Sequence, residues 1–212
     1  WVNLIEEAIE RSDEHDALVY IQVTRGASAS REHVWPEHTP ATVLVMVYDA
    51  PTLSRKDVTP YKMITLDDFR WQKGHIKSVS LVAAGLFKNE AVARGADDAI
   101  LIRNGFVTEA SASNVYIVKD GVLITPPTSN SILHGITRYL VLSLARGDDI
   151  PVEEREISVA ELDAADEVII SSAGHEVWPV GSVNEASVGN GEGGVVWQRL
   201  DHLFQDYKST AE

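Results

Sequence analysis

The first pattern along the chain is helical. Trp1, Leu4, Ile5, Ala8 and Ile9 recur at three- and four-residue spacing, which places them on one face of an amphipathic helix. The pattern then changes to continuous apolar runs. "ALVYIQVTRG" (17–26) and "TVLVMVYDA" (42–50) are rich in β-branched residues and end in turn formers, so both are predicted as buried strands. Between them "ASASREHVWPEHTP" is polar, carries two prolines and reads as a loop. "DAPTLSRKDVTP" (49–60) reads as a linker, and "YKMITLDDFRW" resumes a strand. "SLVAAGLFKNEAVARG" (80–95) is helical and predicted to end at Gly95. "AILIRNGFVTE" and "NVYIVKDGVLITPP" each read as two strands about an Asn-Gly or Asp-Gly turn. A helix opened by Gly135 ("GITRYLVLSLARGDD"), a short strand ("DEVIISSAG") and a last helix ("GGVVWQRLDHLFQDY") complete the prediction.

Strands mixed with about four helices indicate an α+β protein, with a domain boundary expected near residue 53. Composition narrows the function classes. The chain has 212 residues, 44% of them hydrophobic, enough for a packed core. Its 18 basic residues face 32 acidic ones, for a net charge of −14, which argues against binding a phosphate backbone; no nucleic-acid partner is expected. There is no cysteine, so disulfides and thiolate chemistry are excluded. No apolar run approaches 18 residues and no signal peptide is visible, so no membrane partner is expected and the cytoplasm is the default location.

Three segments carry candidate chemistry. In "HIKSVSLVAAGLF", Lys77 precedes a long apolar stretch; desolvation lowers a lysine's pKa, and a neutral amine can attack an aldehyde. On its own the segment reads more simply as a lysine reaching for water. In "VTEASASNVYIV", Glu109 stands between two strand-like runs, beside small hydroxyl residues and Asn114. Such a carboxylate could hydrogen-bond a buried cation, and the same residues could simply make a turn. In "LHGITRYL", a glycine-led helix start offers free N–H groups and a dipole suited to a phosphate, and it could equally be an ordinary cap. Taken together, an amine, a carboxylate and a phosphate cradle are the anchors that pyridoxal phosphate needs. Arg31 and His33 in "SREHVWP" stand two apart and project to one side of an extended loop, where a guanidinium fork and an imidazole would suit a carboxylate. His33 and His38 have no third ligand near them, so no metal site is expected.

"EASASNVY", "LIT" and "LHGITR", at these gaps, resemble the signature of the class IV aminotransferases, the fold type IV pyridoxal-phosphate enzymes. Glu109, Ser111, Asn114, Val115, Tyr116, Leu123, Thr125, Leu133, Gly135, Ile136 and Arg138 meet its fixed positions. "YIQVTRG", "FRWQKGHIKS" and "DEVIISSAGHEVWPV" extend the resemblance over essentially the whole chain. It implies a two-domain fold: residues 1–53 as the remainder of a small α/β domain, and 54–212 as a larger, pseudo-barrel, cofactor-binding domain. Members begin with a further strand-rich stretch bearing a phosphate-binding arginine and a pocket aromatic. Neither is identified here, and residues upstream of Trp1 are expected.

The resemblance also implies roles. Lys77 would bind the cofactor's aldehyde and later move the proton between the substrate Cα and C4′. Glu109 would hold the pyridine N–H, with Arg70 paired to it and keeping it ionised. Leu133 would lie on a ring face, and Ile136, Thr137, Ser172 and Ala173 would contact the phosphate. Arg31 and His33 resemble the substrate-carboxylate pair that D-amino-acid aminotransferases receive from a neighbouring subunit. A homodimer is therefore expected, transferring amino groups from D-amino acids such as D-alanine to a 2-oxo acid such as 2-oxoglutarate. A branched-chain L-amino-acid aminotransferase and an aminodeoxychorismate lyase are the alternatives within the family. His134 and His175 adjoin the phosphate turns, and Trp35, Trp71 and Trp178 are expected to pack.

Overall fold

The computed structural model describes residues 1–14, 17–35, 37–49 and 58–210. The chain divides into two compact units, Trp1–Lys56 and Asp57–Glu212. The boundary expected near residue 53 lies outside the described residues.

In the first unit, α1 (Val2–Glu10) packs on a two-stranded antiparallel ribbon, β1 (Ala17–Thr24) and β2 (Thr42–Asp49), in register from Ala17 opposite Asp49 to Thr24 opposite Thr42. The elements match the hydrophobic pattern, but the expected burial of the strands does not hold. Leu18, Tyr20, Ile21, Val23, Val43, Leu44, Met46 and Tyr48 are exposed. Two strands and one short helix cannot cover both faces of a ribbon.

The second unit holds the core. Its strands are β3 (Tyr61–Asp67), β4 (Asp98–Arg103), β5 (Phe106–Ala110), β6 (Asn114–Lys119), β7 (Val122–Thr125), β8 (Val152–Glu154), β9 (Glu167–Ser172), β10 (Glu176–Val183) and the two-residue β11 (Ala186–Ser187). They form one mixed sheet in the order β5-β4-β3-β10-β9-β6-β7-β8, with β11 on β10. The Asn104-Gly105 and Asp120-Gly121 turns all take positive φ, which gives the tight hairpins β4–β5 and β6–β7. The helix α2 (Val82–Ala93) links the parallel pair β3–β4, and α3 (Ile136–Gly147) links the parallel pair β7–β8. The short α4 (Val159–Asp163) and the long α5 (Val195–Thr210) complete the fold.

Strand β6 shows why its sequence is a continuous apolar run. Val115 and Ile117 enter one core with Met63, Ile100, Val168 and Ile170, whereas Tyr116 and Val118 face the opposite core under α3 and α5. A third cluster around Phe87 and Ala91 packs α2 on the far end of the sheet. The sheet must curl. Between β5 and β6 in the sheet order stand β4, β3, β10 and β9, a separation of about 24 Å if the sheet were flat. Only Ser111, Ala112 and Ser113 join them, a link that reaches at most about 14 Å. The fold is α+β with a curled, half-barrel sheet, as the resemblance implied.

Candidate active site

Glu109 is the penultimate residue of β5 and is buried. The guanidinium of Arg70 donates from Nη1 to its Oε1, and the Leu133 amide donates to its Oε2 at 2.8 Å. Asn114 Nδ2 donates to the Leu133 carbonyl at 2.9 Å and stands 3.5 Å from Glu109 Oε2. The serine-rich turn before Asn114 is itself fixed. Ser111 donates its hydroxyl to Asp98, and Ala110 N–H bonds the Ser113 carbonyl at 2.8 Å.

Behind Glu109 lies a second layer of charge that sequence reasoning missed. Asp68 follows β3 directly and its side chain is fully buried. It accepts Arg70 Nε at 2.9 Å and Nη2 at 2.8 Å, a bidentate fork. Arg103 Nη2 lies 3.0 Å from the same carboxylate, and the Thr108 hydroxyl donates to it at 2.9 Å. Two carboxylates and two guanidiniums thus form one closed network. Burial pushes the Asp68 carboxyl up, but the bonds from Arg70 outweigh it and hold Asp68 below the usual carboxylate range. For Glu109 the balance is opposite. Burial raises its pKa, and Arg70 and the Leu133 amide only partly offset it. The Arg70 pairing is therefore present, yet it does not by itself keep Glu109 at an ordinary acidity. A positive group brought to that carboxylate would supply the missing compensation.

The start of α3 adjoins this carboxylate. Its N-cap, Gly135, has extended backbone and no side-chain cap, so the amides of Ile136 and Thr137 have no intrahelical acceptor. A Cβ at Gly135 would stand 2.3 Å from Asn114 Oδ1, so the close approach of the amide explains the glycine. Arg138 is buried and tied to the Pro126 carbonyl and to Glu154, each at 2.8 Å, so it anchors the helix rather than facing a ligand. Asn114 pairs in register with Ser171, which brings the end of β9, with Ser172 and Ala173 following, beside the start of α3. Ser172 Oγ accepts the His175 amide at 3.2 Å.

Lys77 lies on the loop between β3 and α2. That loop is docked through the Gly74 amide, which donates to the Asn130 carbonyl at 2.7 Å; a Cβ on Gly74 would come within 2.8 Å of the Ser131 carbonyl. The same Ser131 carbonyl accepts Arg70 Nη2 at 3.2 Å, so the lysine loop and the Glu109 network share one turn. The apolar surroundings expected for Lys77 are not found among the described residues. Lys77 is exposed, and so are Ile76, Val79, Leu81, Val82 and Leu86; of α2, Phe87 and Ala91 are buried in the core and Ala83 packs against it. His75 beside it has a buried Nδ1 with no partner among the described residues. Arg31 and His33 lie in the loop between β1 and β2 of the first unit, both exposed.

Residues 1–183 match the family model described as amino-transferase class IV. The chain belongs to the class IV aminotransferase family. It is 37% identical to a D-alanine aminotransferase of Listeria monocytogenes, over 95% of this chain and 70% of that one. A D-alanine aminotransferase of Staphylococcus epidermidis is also 37% identical, over 97% and 73%. Among solved structures, a T.th. branched-chain amino acid aminotransferase with pyridoxamine 5'-phosphate superposes with a TM-score of 0.85 at 29% identity, covering 95% of this chain and 68% of that one. This aminotransferase uses pyridoxal phosphate. The donor set fits that cofactor: a buried carboxylate with unmet demand for a cation, uncapped amides at the start of α3, a serine hydroxyl at the adjoining strand end and a primary amine on a loop docked to the same turn.

Proposed function

We propose that this aminotransferase takes amino groups from D-amino acids, D-alanine first among them, and passes them to a 2-oxo acid such as 2-oxoglutarate. The observation that carries this reading is the 37% identity, over 95% of the chain, to a protein named for D-alanine, against 34% over 80% of the chain to one solved structure named for branched-chain amino acids and 29% over 95% to another.

When bound, the cofactor supplies an aldehyde that takes up the substrate's amino group and a protonated ring that withdraws electrons from the α-carbon. Lys77 is the amine that holds the aldehyde. Its amine would also be the group that moves the proton between the substrate Cα and C4′. Glu109 keeps the proton on the ring nitrogen; a carboxylate in a dry site, flanked by Arg70, is a strong acceptor for it. Leu133, whose amide fixes Glu109, would lie against a ring face. Ile136 and Thr137 hold the phosphate through the free amides of α3, with Ser172 donating its hydroxyl and Ala173 its backbone N–H.

Arg31 and His33 bind the substrate carboxylate, and they do so from the partner subunit of a homodimer. The exposed apolar series Phe69, Trp71, Ile76, Val79, Leu81, Val82 and Leu86 supports a dimer, since a monomer rarely shows so much apolar surface in one stretch.

The test is a donor panel of D and L enantiomers with 2-oxoglutarate as acceptor. D-alanine should give the highest kcat/KM. A preference for L-leucine would move the assignment to the branched-chain class, and pyruvate release from aminodeoxychorismate would move it to the lyase.

A further inference from the structure

Around the end of β9 stand Tyr61, His175 and Trp178, side chains that the proposed function does not use. The Tyr61 hydroxyl lies 2.7 Å from His175 Nε2, and His175 Nδ1 lies 3.3 Å from Ser172 Oγ. The His175 amide donates to the same Oγ at 3.2 Å. Three rings pack edge to face and hold the imidazole in place. Tyr61 and His175 have centroids 5.4 Å apart, His175 and Trp178 6.3 Å, and Tyr61 and Trp178 6.2 Å. Trp178 is fixed in turn by its indole N–H, which donates to the Thr59 carbonyl at 3.0 Å.

The directions of these bonds follow from the inventory of donors. A neutral imidazole carries one N–H. If the phenol donates to Nε2, the ring proton is on Nδ1 and is donated to Ser172 Oγ. That oxygen then accepts from both Nδ1–H and the backbone amide, which fills its two lone pairs. Its own O–H must point away from the relay. A serine without these partners would spend part of its time turning a lone pair toward an anion, which repels it.

We propose that Tyr61 and His175 are positioning residues that lock the Ser172 hydroxyl as an outward donor to the cofactor's phosphate monoester. The inference rests on the reading of Ser172 and α3 as the phosphate cradle. The chain has reason to need such a device, because Ala173, the next residue, has no side-chain donor. Burial, with a contribution from the Lys88 charge, holds His175 below the ordinary histidine range, so the neutral ring that the relay requires is the resting form.

The experiment compares affinities for pyridoxal phosphate and for pyridoxal in the full chain reconstituted with each, measured by equilibrium dialysis. The ratio isolates what the phosphate contributes. His175→Phe keeps the ring packing and removes both nitrogens. It should weaken pyridoxal phosphate by roughly three- to tenfold, less than the loss of a whole hydrogen bond to a charged group because the hydroxyl remains and only its orientation is freed, and leave pyridoxal unchanged. Tyr61→Phe should shift the ratio in the same direction by less. His175→Asn, whose amide can donate in place of Nδ1, should restore part of the loss. Equal weakening of both ligands by His175→Phe and Tyr61→Phe would overturn the relay and make the ring a packing residue. If Ser172→Ala lowers the ratio while His175→Phe does not, the relay is wrong and the phosphate cradle stands. If Ser172→Ala leaves the ratio intact, the cradle reading fails at Ser172 and takes the relay with it.

Discussion

Lys77 is the residue on which the proposed chemistry turns, and two other lysines stand within reach of a false assignment. Lys73 lies on the same loop and Lys88 on α2, where it bonds the Asp97 carbonyl. Borohydride reduction followed by peptide mapping should place the pyridoxyl label on Lys77, and Lys77→Ala should abolish transamination. A label on Lys73 or Lys88 would refute the assignment. Asp68 poses a different question, because its partners are protein groups and it holds two guanidiniums. Asp68→Asn should cost about 3 kcal/mol near neutral pH, since Arg70 and Arg103 would lose their shared buried charge. The pH dependence has a definite sign. The folded-state pKa of Asp68 is depressed, so its contribution is present above the ordinary carboxylate pKa of about 4 and is lost as the pH falls through the folded value. Denaturant titrations should therefore show the wild type and Asp68→Asn converging below about pH 4. A constant gap down to strong acid would mean that the Asp68 charge is not what stabilises the network.

At the scale of the element, α5 depends on a carboxylate from another strand. Glu167, the first residue of β9, accepts the amides of Val196 at 2.9 Å and Trp197 at 2.8 Å and so caps the helix. Gly194 leaves the room for it; a Cβ there would lie 2.1 Å from the Glu167 carboxyl carbon. Glu167→Ala should cost ~1–2 kcal/mol and lower Tm by roughly 3–6 °C. Gly194→Ala should be destabilising in the wild type and much less so in the Glu167→Ala background, because the atoms it strikes are gone. Additive losses in that double-mutant cycle would show that Gly194 is required for its backbone instead. The helix α4 shows how a local signal can be overlooked: Ser158 and Glu161 form a capping box, with the Ser158 amide donating to Glu161 at 3.0 Å, and "SVAE" spells it out.

At the scale of the whole molecule, the exposed apolar series and the proposed carboxylate-binding pair on the first unit, Arg31 and His33, both bear on assembly. A homodimer should elute at twice the chain mass and show complementation. Arg31→Ala should raise KM for D-alanine far more than it disturbs cofactor binding, because it removes a charge-assisted fork from the substrate alone. Mixed dimers of Arg31→Ala with Lys77→Ala rebuild one complete site, if the trap acts across subunits, and should regain about half of the activity of an intact dimer. A mixture that stays inactive would place Arg31 in its own subunit's site, and an Arg31→Ala homodimer with unchanged KM would place it outside any site.

Sequence by itself determined what depends on near neighbours. The Asn104-Gly105 and Asp120-Gly121 hairpins and the helix led by Gly135 are legible because turn and cap chemistry act over a few residues. The Glu109, Asn114 and Gly135 segments are legible for the same reason: each stands inside a short fixed pattern, though only the structure shows the Asn114 amide filling the place of a Gly135 side chain. The strand β8, the pairing of β10 and the curl of the sheet are not legible, because three-residue strands have no period and strand order is a property of distant pairings. The layer behind Glu109 is hidden for a related reason. Asp68, Arg103 and Thr108 come from three strands or their ends and meet only after the sheet has formed, so no local pattern marks a buried charge network. Exposure of Lys77 and of the run that follows was also decided in three dimensions. A periodic apolar segment states that it will be covered, but not by which surface, and here the chain's own core buries Phe87 and Ala91 and leaves Val82 and Leu86 exposed.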